Sequence, residues 1–171
     1  MAYDRLTRFL HLVLALGIVL QQFGSMIMTY PKPGRPGDAF YALHEVWGQI
    51  LLWLLMVHWV WSMIREEKVP MALLFPWFSR QRIRALVEDI RHHVSFALRL
   101  QLPGHSQNAP LVCAVQGAGL SLGTLLGLSG VLLIVGMEPN GAMTGWVHLV
   151  KEGHEVLGSL MWVYLVGHVG M

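Results

Sequence analysis

The sequence predicts an all-α integral membrane protein: a four-helix bundle crossing the bilayer, with an amphipathic surface helix between the second and third spans. Three observations carry this. Of 171 residues, 54% are hydrophobic and only 13% charged, against about 25% charged in soluble domains, and the mean hydropathy is +0.51. Four apolar stretches, 9–30, 43–64, 109–136 and 144–171, reach the roughly 20 residues a helix needs to cross a hydrocarbon core of about 30 Å. Between the second and third, within 79–100, apolar residues recur at helical spacing among arginines. The whole chain, 1–171, reads as one transmembrane domain. The composition excludes disorder, collagen and disulfide scaffolds, and the single cysteine, Cys113, permits no intrachain disulfide and no Cys-based zinc or iron-sulfur site. Net charge is +2, and no nucleic-acid-binding motif accompanies it.

The first stretch follows Asp4, Arg5 and Arg8 and lacks the small-residue cleavage pattern of a secretory signal, so it is expected to persist as a helix. Pro31, Pro33, Gly34, Pro36 and Gly37 make a sharp connector to the second. In the inner connection Ile83, Leu86, Val87, Ile90, Val94, Ala97 and Leu98 form one apolar face. Pro76, Trp77 and Phe78 precede it, with the aromatic rings suited to the headgroup level. Docking against another subunit would use the same face. The third stretch carries Gly119, Gly123 and Gly127 at four-residue intervals, a spacing that lets helices approach closely in lipid. Arg5, Arg8, Arg65, Lys68, Arg80, Arg82, Arg84, Arg91 and Arg99 fall on one side, against Lys32, Arg35 and Lys151 on the other. That asymmetry places the N-terminus in the cytoplasm, and four spans return the C-terminus there.

Histidines inside membrane spans are costly and face a bundle interior, a cavity or a ligand. Six fall in the stretches: His11, His44, His58, His148, His154 and His168. His148 lies in the first turns of its span, where water or headgroups solvate it. His44 and His58 are 14 residues apart, as are His154 and His168. Fourteen steps return to within about 40° of one helix face and rise roughly 21 Å. Each of these helices therefore offers one histidine near the outer surface and one near the inner, and His11 reaches the inner level from the first helix. Two levels of facing imidazoles suit two b haems, each iron held from two helices. Zinc lacks carboxylate or thiolate co-ligands here. A proton relay would need buried acids, yet Glu45, Glu152 and Glu155 sit near the outer ends. Spacing alone leaves His168 free to pair with His11 or His58. Gly17, Gly48, Gly158 and Gly167 would leave room for a macrocycle or serve helix contacts. Arg5, Arg8 and Arg65 inside, and Lys32, Arg35 and Lys151 outside, could meet haem propionates or simply carry surface charge.

The segments DRLTRFLHLVLALG, YALHEVWGQILLWLLMVHWVW and KEGHEVLGSLMWVYLVGHVG resemble helices one, two and four of bacterial di-haem cytochrome b subunits. These are the membrane gamma subunits of nickel-iron hydrogenases and formate dehydrogenases, related to small stand-alone cytochromes b that oxidise superoxide. The resemblance implies His11 and His168 on an inner haem and His44 and His154 on an outer one, with His58 lining the inner pocket. It also implies a quinone beside the inner haem, near Asn108 in SQNAPLVCAVQ, with Gln107 or His105 as neighbours. Asn108 would alternatively serve as a helix cap. The implied function is transmembrane electron transfer in the bacterial cytoplasmic membrane, between the quinone pool and a periplasmic or membrane-attached subunit carrying an iron-sulfur centre or cytochrome c. Met171 follows His168 by three residues without a basic tail, so a partner or further chain is expected to cover that end. Rival readings are a superoxide:quinone oxidoreductase, for which three outer cations make only a thin anion funnel, and a haem-free transporter or assembly factor.

Overall fold

The computed structural model describes residues 4–64, 71–100 and 109–169. Six α-helices are present among them: α1 (Arg5–Ile27), α2 (Ala39–Ile64), α3 (Met71–Leu74), α4 (Arg80–Leu98), α5 (Pro110–Gly136) and α6 (Gly145–Val169). A single 3₁₀ turn, Pro76–Phe78, precedes α4. No strand occurs among the described residues. The four long apolar stretches of the sequence correspond to α1, α2, α5 and α6, and 79–100 to α4.

The first two helices begin four residues earlier than the apolar runs because acidic caps, not hydropathy, fix their starts. Asp4 precedes α1, and its carboxylate accepts from the Thr7 backbone N–H at 2.8 Å and from the Thr7 hydroxyl. Asp38 does the same before α2, accepting from the N–H of Tyr41 at 2.8 Å and of Thr29 at 2.9 Å. Hydrogen bonds hold both carboxyls below the ordinary value of 3.8, led by the Thr7 hydroxyl at Asp4 and by the Tyr41 N–H at Asp38. Between these helices Lys32 and Arg35 exchange backbone hydrogen bonds at 2.9 and 2.8 Å around Pro33 and Gly34. Gly34, at φ +79°, takes the left-handed turn position that favours glycine.

Helices α1, α2 and α5 are long and apolar enough to cross a membrane. Helix α6 has 25 residues, sufficient in length, but Lys151, Glu152 and Glu155 in its first half make it less apolar.

The described residues fall into two compact units, Met1–Arg65 with Leu122–Met171, and Glu66–Ser121, so that α5 passes from the second into the first. In the first unit α1 and α2 pack where Gly17 faces Leu51 and the Trp47 indole donates to the Gly17 carbonyl at 3.3 Å. Gln21 donates to the His44 carbonyl at 2.7 Å, and Gln22, 6% exposed, donates from α1 to the Gly158 carbonyl of α6 at 2.8 Å. At the other end the Trp61 indole donates to the Thr7 hydroxyl at 3.0 Å. Helix α5 approaches α2 through glycines, Gly123 against Leu55 and Gly127 against Leu52. Leu20, Trp53, Val163 and Val166 stay exposed, as lipid-facing side chains would.

In the second unit Cys113, Ala114 and Gly117 form the buried face of α5. The Leu111 N–H at its first turn donates to Asp89 of α4 at 2.8 Å. Arg82 of α4 donates to the Ala72 carbonyl at 3.0 Å.

Candidate functional site

Four histidines from three helices meet in two pairs. His44, in the second turn of α2, and His154 of α6 have ring centroids 6.3 Å apart and planes at 80°. His11 of α1 and His168 near the end of α6 have centroids 6.0 Å apart and planes at 57°. Helix α6 thus contributes one ring to each pair, and its 14-residue spacing separates the two by roughly 21 Å along the helix. The separations within the pairs carry chemical information. An imidazole centroid lies about 1 Å behind its coordinating nitrogen, so two rings gripping one metal from opposite sides at about 2 Å per bond hold their centroids roughly 6 Å apart. Both pairs have that spacing, and their donors are imidazoles, a set suited to haem iron.

At the His44–His154 pair the helices leave a cavity of about 1220 Å³, counting its open side. Its walls come from α1, α2, α5 and α6 and are mostly apolar, Leu14, Ile18, Gly48, Leu52, Gly127 and Val131 among them. Gly130 flanks His154: a Cβ there would lie 3.6 Å from Cε1 of the imidazole, in ordinary contact. Tyr30, Tyr41, Lys151 and Glu155 line the same space. The ammoniums of Lys151 and Lys32 stand 4.9 and 5.1 Å from the Tyr30 ring, and Lys151 pairs with Glu155. Donors able to meet an acidic group are therefore gathered at this cavity.

The Nδ1 atoms of His44 and His168 are buried with no hydrogen-bond partner among the described residues. That of His154 lies 2.8 Å from the Ser129 hydroxyl of α5. Tyr164, one turn before His168, stacks on its ring at 5.3 Å with planes only 13° apart. His58 is half-buried on α2, and His148 is exposed, as its place in the first turn suggests. Asn108, Gln107 and His105, like Arg65 and Lys68, lie outside the described residues. Of the glycines named beside the histidines, Gly17 serves a helix contact and Gly48 both a contact with Gln21 and the cavity wall, while Gly167 faces open space.

A family model described as prokaryotic cytochrome b561 matches residues 2–171. The chain belongs to that family. No curated protein and no solved structure matches it. As a cytochrome b561 it is a helical membrane protein that binds b haem and serves transmembrane electron transfer.

Sequence reasoning missed three contacts at the candidate site: Ser129 at His154, Tyr164 at His168, and the cavity-lining pair Gln21 and Gln22. Tyr164 was within reach of periodicity, because residues four apart share a helix face. Ser129 was not, since it meets His154 only across two helices that the sequence does not register against each other.

Proposed function

We propose that this cytochrome b561 carries two b haems, one held by His44 and His154 toward the outer surface and one by His11 and His168 toward the cytoplasm. It thereby passes electrons across the bacterial cytoplasmic membrane between an outer redox partner and the quinone pool, as the membrane subunit of a respiratory oxidoreductase complex. The observation that carries the proposal is the spacing of the two histidine pairs, 6.3 and 6.0 Å between centroids.

When bound, haem b supplies a one-electron ferric–ferrous couple. What the chain supplies is ligation, spacing and, at the His44–His154 site, an apolar cavity. His44 with His154, and His11 with His168, would hold the iron through imidazole nitrogens, and the chemistry the group would supply there is one-electron transfer. The apolar cavity walls would keep water from the group, and Tyr30 and Lys151, which line the cavity, would be donors to its propionates, with Lys32 5.1 Å from the Tyr30 ring. Helix α6 serves as the fourth span. Its cluster of Lys151, Glu152 and Glu155 belongs to the outer interface, with Lys151 and Glu155 neutralising each other. No Asp, Glu, Lys or Arg follows Glu155 through Val169. The excess of Lys and Arg around 65–99 keeps both termini cytoplasmic. The quinone is assigned to the inner haem's neighbourhood with Asn108 as a polar contact and His58 as a pocket residue, on the family resemblance.

Pyridine haemochrome quantification on the purified protein tests the reading. Two haems b per chain are expected, with His44→Ala or His154→Ala removing one and His11→Ala or His168→Ala the other. A stoichiometry of one, or four substitutions that all leave it at two, overturns the assignment.

A further inference from the structure

The His154 ring is held differently from the other candidate ligands. Its Nδ1 lies 2.8 Å from the Ser129 Oγ, and the same oxygen lies 3.0 Å from the backbone carbonyl of Leu126 one turn earlier in α5. A serine hydroxyl has one hydrogen and two lone pairs, whereas a carbonyl oxygen can only accept. For both contacts to be hydrogen bonds, the hydroxyl donates to Leu126 and accepts from His154, whose proton then sits on Nδ1. That leaves the Nε2 lone pair available. A neutral histidine giving Nε2 to a metal needs this same tautomer, so hydrogen-bond accounting within the protein and the demand of ligation converge. Gly130, directly after Ser129, lies beside the same imidazole, a Cβ there falling 3.6 Å from its Cε1, in ordinary contact.

We infer that Ser129 is a positioning residue for the His44–His154 site: its hydroxyl locks His154 in the Nδ1-protonated tautomer, strengthens Nε2 as a donor, and so lowers the reduction potential of the haem held there. This rests on the proposal that His154 is an axial ligand. Accepting the Nδ1 hydrogen shifts electron density toward Nε2, and a more basic ligand favours ferric over ferrous iron. The effect is amplified at a half-buried site, where a hydrogen bond is electrostatically stronger than in water. His44 and His168 have no such partner on Nδ1 among the described residues. Ser129 consequently makes the His44–His154 site the electron-richer of the two on the α6 side.

The test is redox potentiometry with haemochrome counting and low-spin ferric EPR on detergent-purified wild type, Ser129→Ala, Ser129→Thr and His154→Ala. His154→Ala identifies which redox step belongs to this site by removing it. Ser129→Ala is expected to keep two haems and raise the midpoint of that step alone. The preference for ferric iron falls about tenfold, which for one electron is about 59 mV, and the EPR signal of that haem changes. Ser129→Thr, which retains a hydroxyl able to bond the preceding turn, is expected to stay near wild type. If Ser129→Ala loses this haem while Ser129→Thr keeps it, the hydroxyl is shown to position the ring, and the inference stands. Unmoved midpoints in a two-haem Ser129→Ala protein, or equal behaviour of the alanine and threonine variants, overturn it. Retention of both haems by His154→Ala would instead overturn the ligand assignment beneath it.

Discussion

Gly117 and Gly123 lie on the same helix, and alanine at each should act in opposite directions. A Cβ on Gly117 would lie 1.9 Å from the Leu74 carbonyl oxygen, 2.7 Å from its carbon and 3.2 Å from its Cα. A carbon approaches a carbonyl oxygen to about 3.3 Å, so with the added Cβ at 1.9 Å from that oxygen α5 and the Leu74 backbone would have to part by roughly 1.4 Å. Backbone cannot rotate out of the way as a side chain can. Overpacking of this kind costs about 3 kcal/mol, offset by about 1 kcal/mol that alanine gains over glycine in a helix. The net loss of about 2 kcal/mol corresponds to a fall in Tm of about 4–8 °C for a chain of this size. At Gly123 the nearest atom is the mobile tip of Leu55 at 3.3 Å, so the helix-propensity gain survives and Tm should hold or rise by up to about 3 °C. The sole cysteine provides the assay. Cys113, 0% exposed and one turn from Gly117, becomes accessible to a thiol-reactive fluorophore when the second unit opens, giving a melting curve for that unit and for Gly117→Ala, while tryptophan fluorescence, dominated by the tryptophans of α2 and α6, follows the first unit, where Gly123 lies. If Gly117→Ala melts with the wild type, or both variants shift alike, the packing of α5 against Leu74 is not as described.

Other predictions concern the haems and the caps. His58→Ala should keep two haems whereas His11→Ala keeps one, by haemochrome assay; the reverse pattern would transfer the inner ligand role from α1 to α2. Tyr164→Ala should broaden the ferric EPR signal of the inner haem by freeing the His168 ring from its stack, while Tyr164→Phe preserves it. Gly127→Leu, whose Cβ would already meet Leu52 at 2.7 Å beside the cavity, should lower occupancy of the His44–His154 site and spare the other, read as a selective loss of one redox step. The Asp4 carboxyl, held below 3.8 by the Thr7 hydroxyl and N–H, contributes stability that is complete above about pH 4 and disappears as pH falls through its folded-state value. Thermal melts between pH 3 and 6 should therefore decline on the acid side in the wild type and decline less in Asp4→Asn, which cannot ionise.

What the sequence could disclose, and what it could not, follows from the reach of helical periodicity. Within one helix the geometry is fixed at 3.6 residues per turn, so the recurrence of histidine at 44 and 58 and at 154 and 168 is enough to put each pair on one stripe. The long helices are equally legible, since the bilayer imposes a length that composition records. Their starts are less so, because a cap depends on one side chain reaching back to a backbone N–H, as Asp4 and Asp38 do, and hydropathy is blind to that. Between helices the information fades. The sequence leaves His168 open to His11 or His58; the structure brings His11 to within 6.0 Å of it, a distance set by how α1 and α6 slide and rotate against each other. The same reason explains the glycines. The interval of four makes 119, 123 and 127 stand out, and Gly123 and Gly127 do admit α2. The tightest backbone approach, however, is at Gly117, whose neighbour is the end of a four-residue helix that no periodicity could register. Close approach is a property of two surfaces, and a single strand of sequence specifies only one of them.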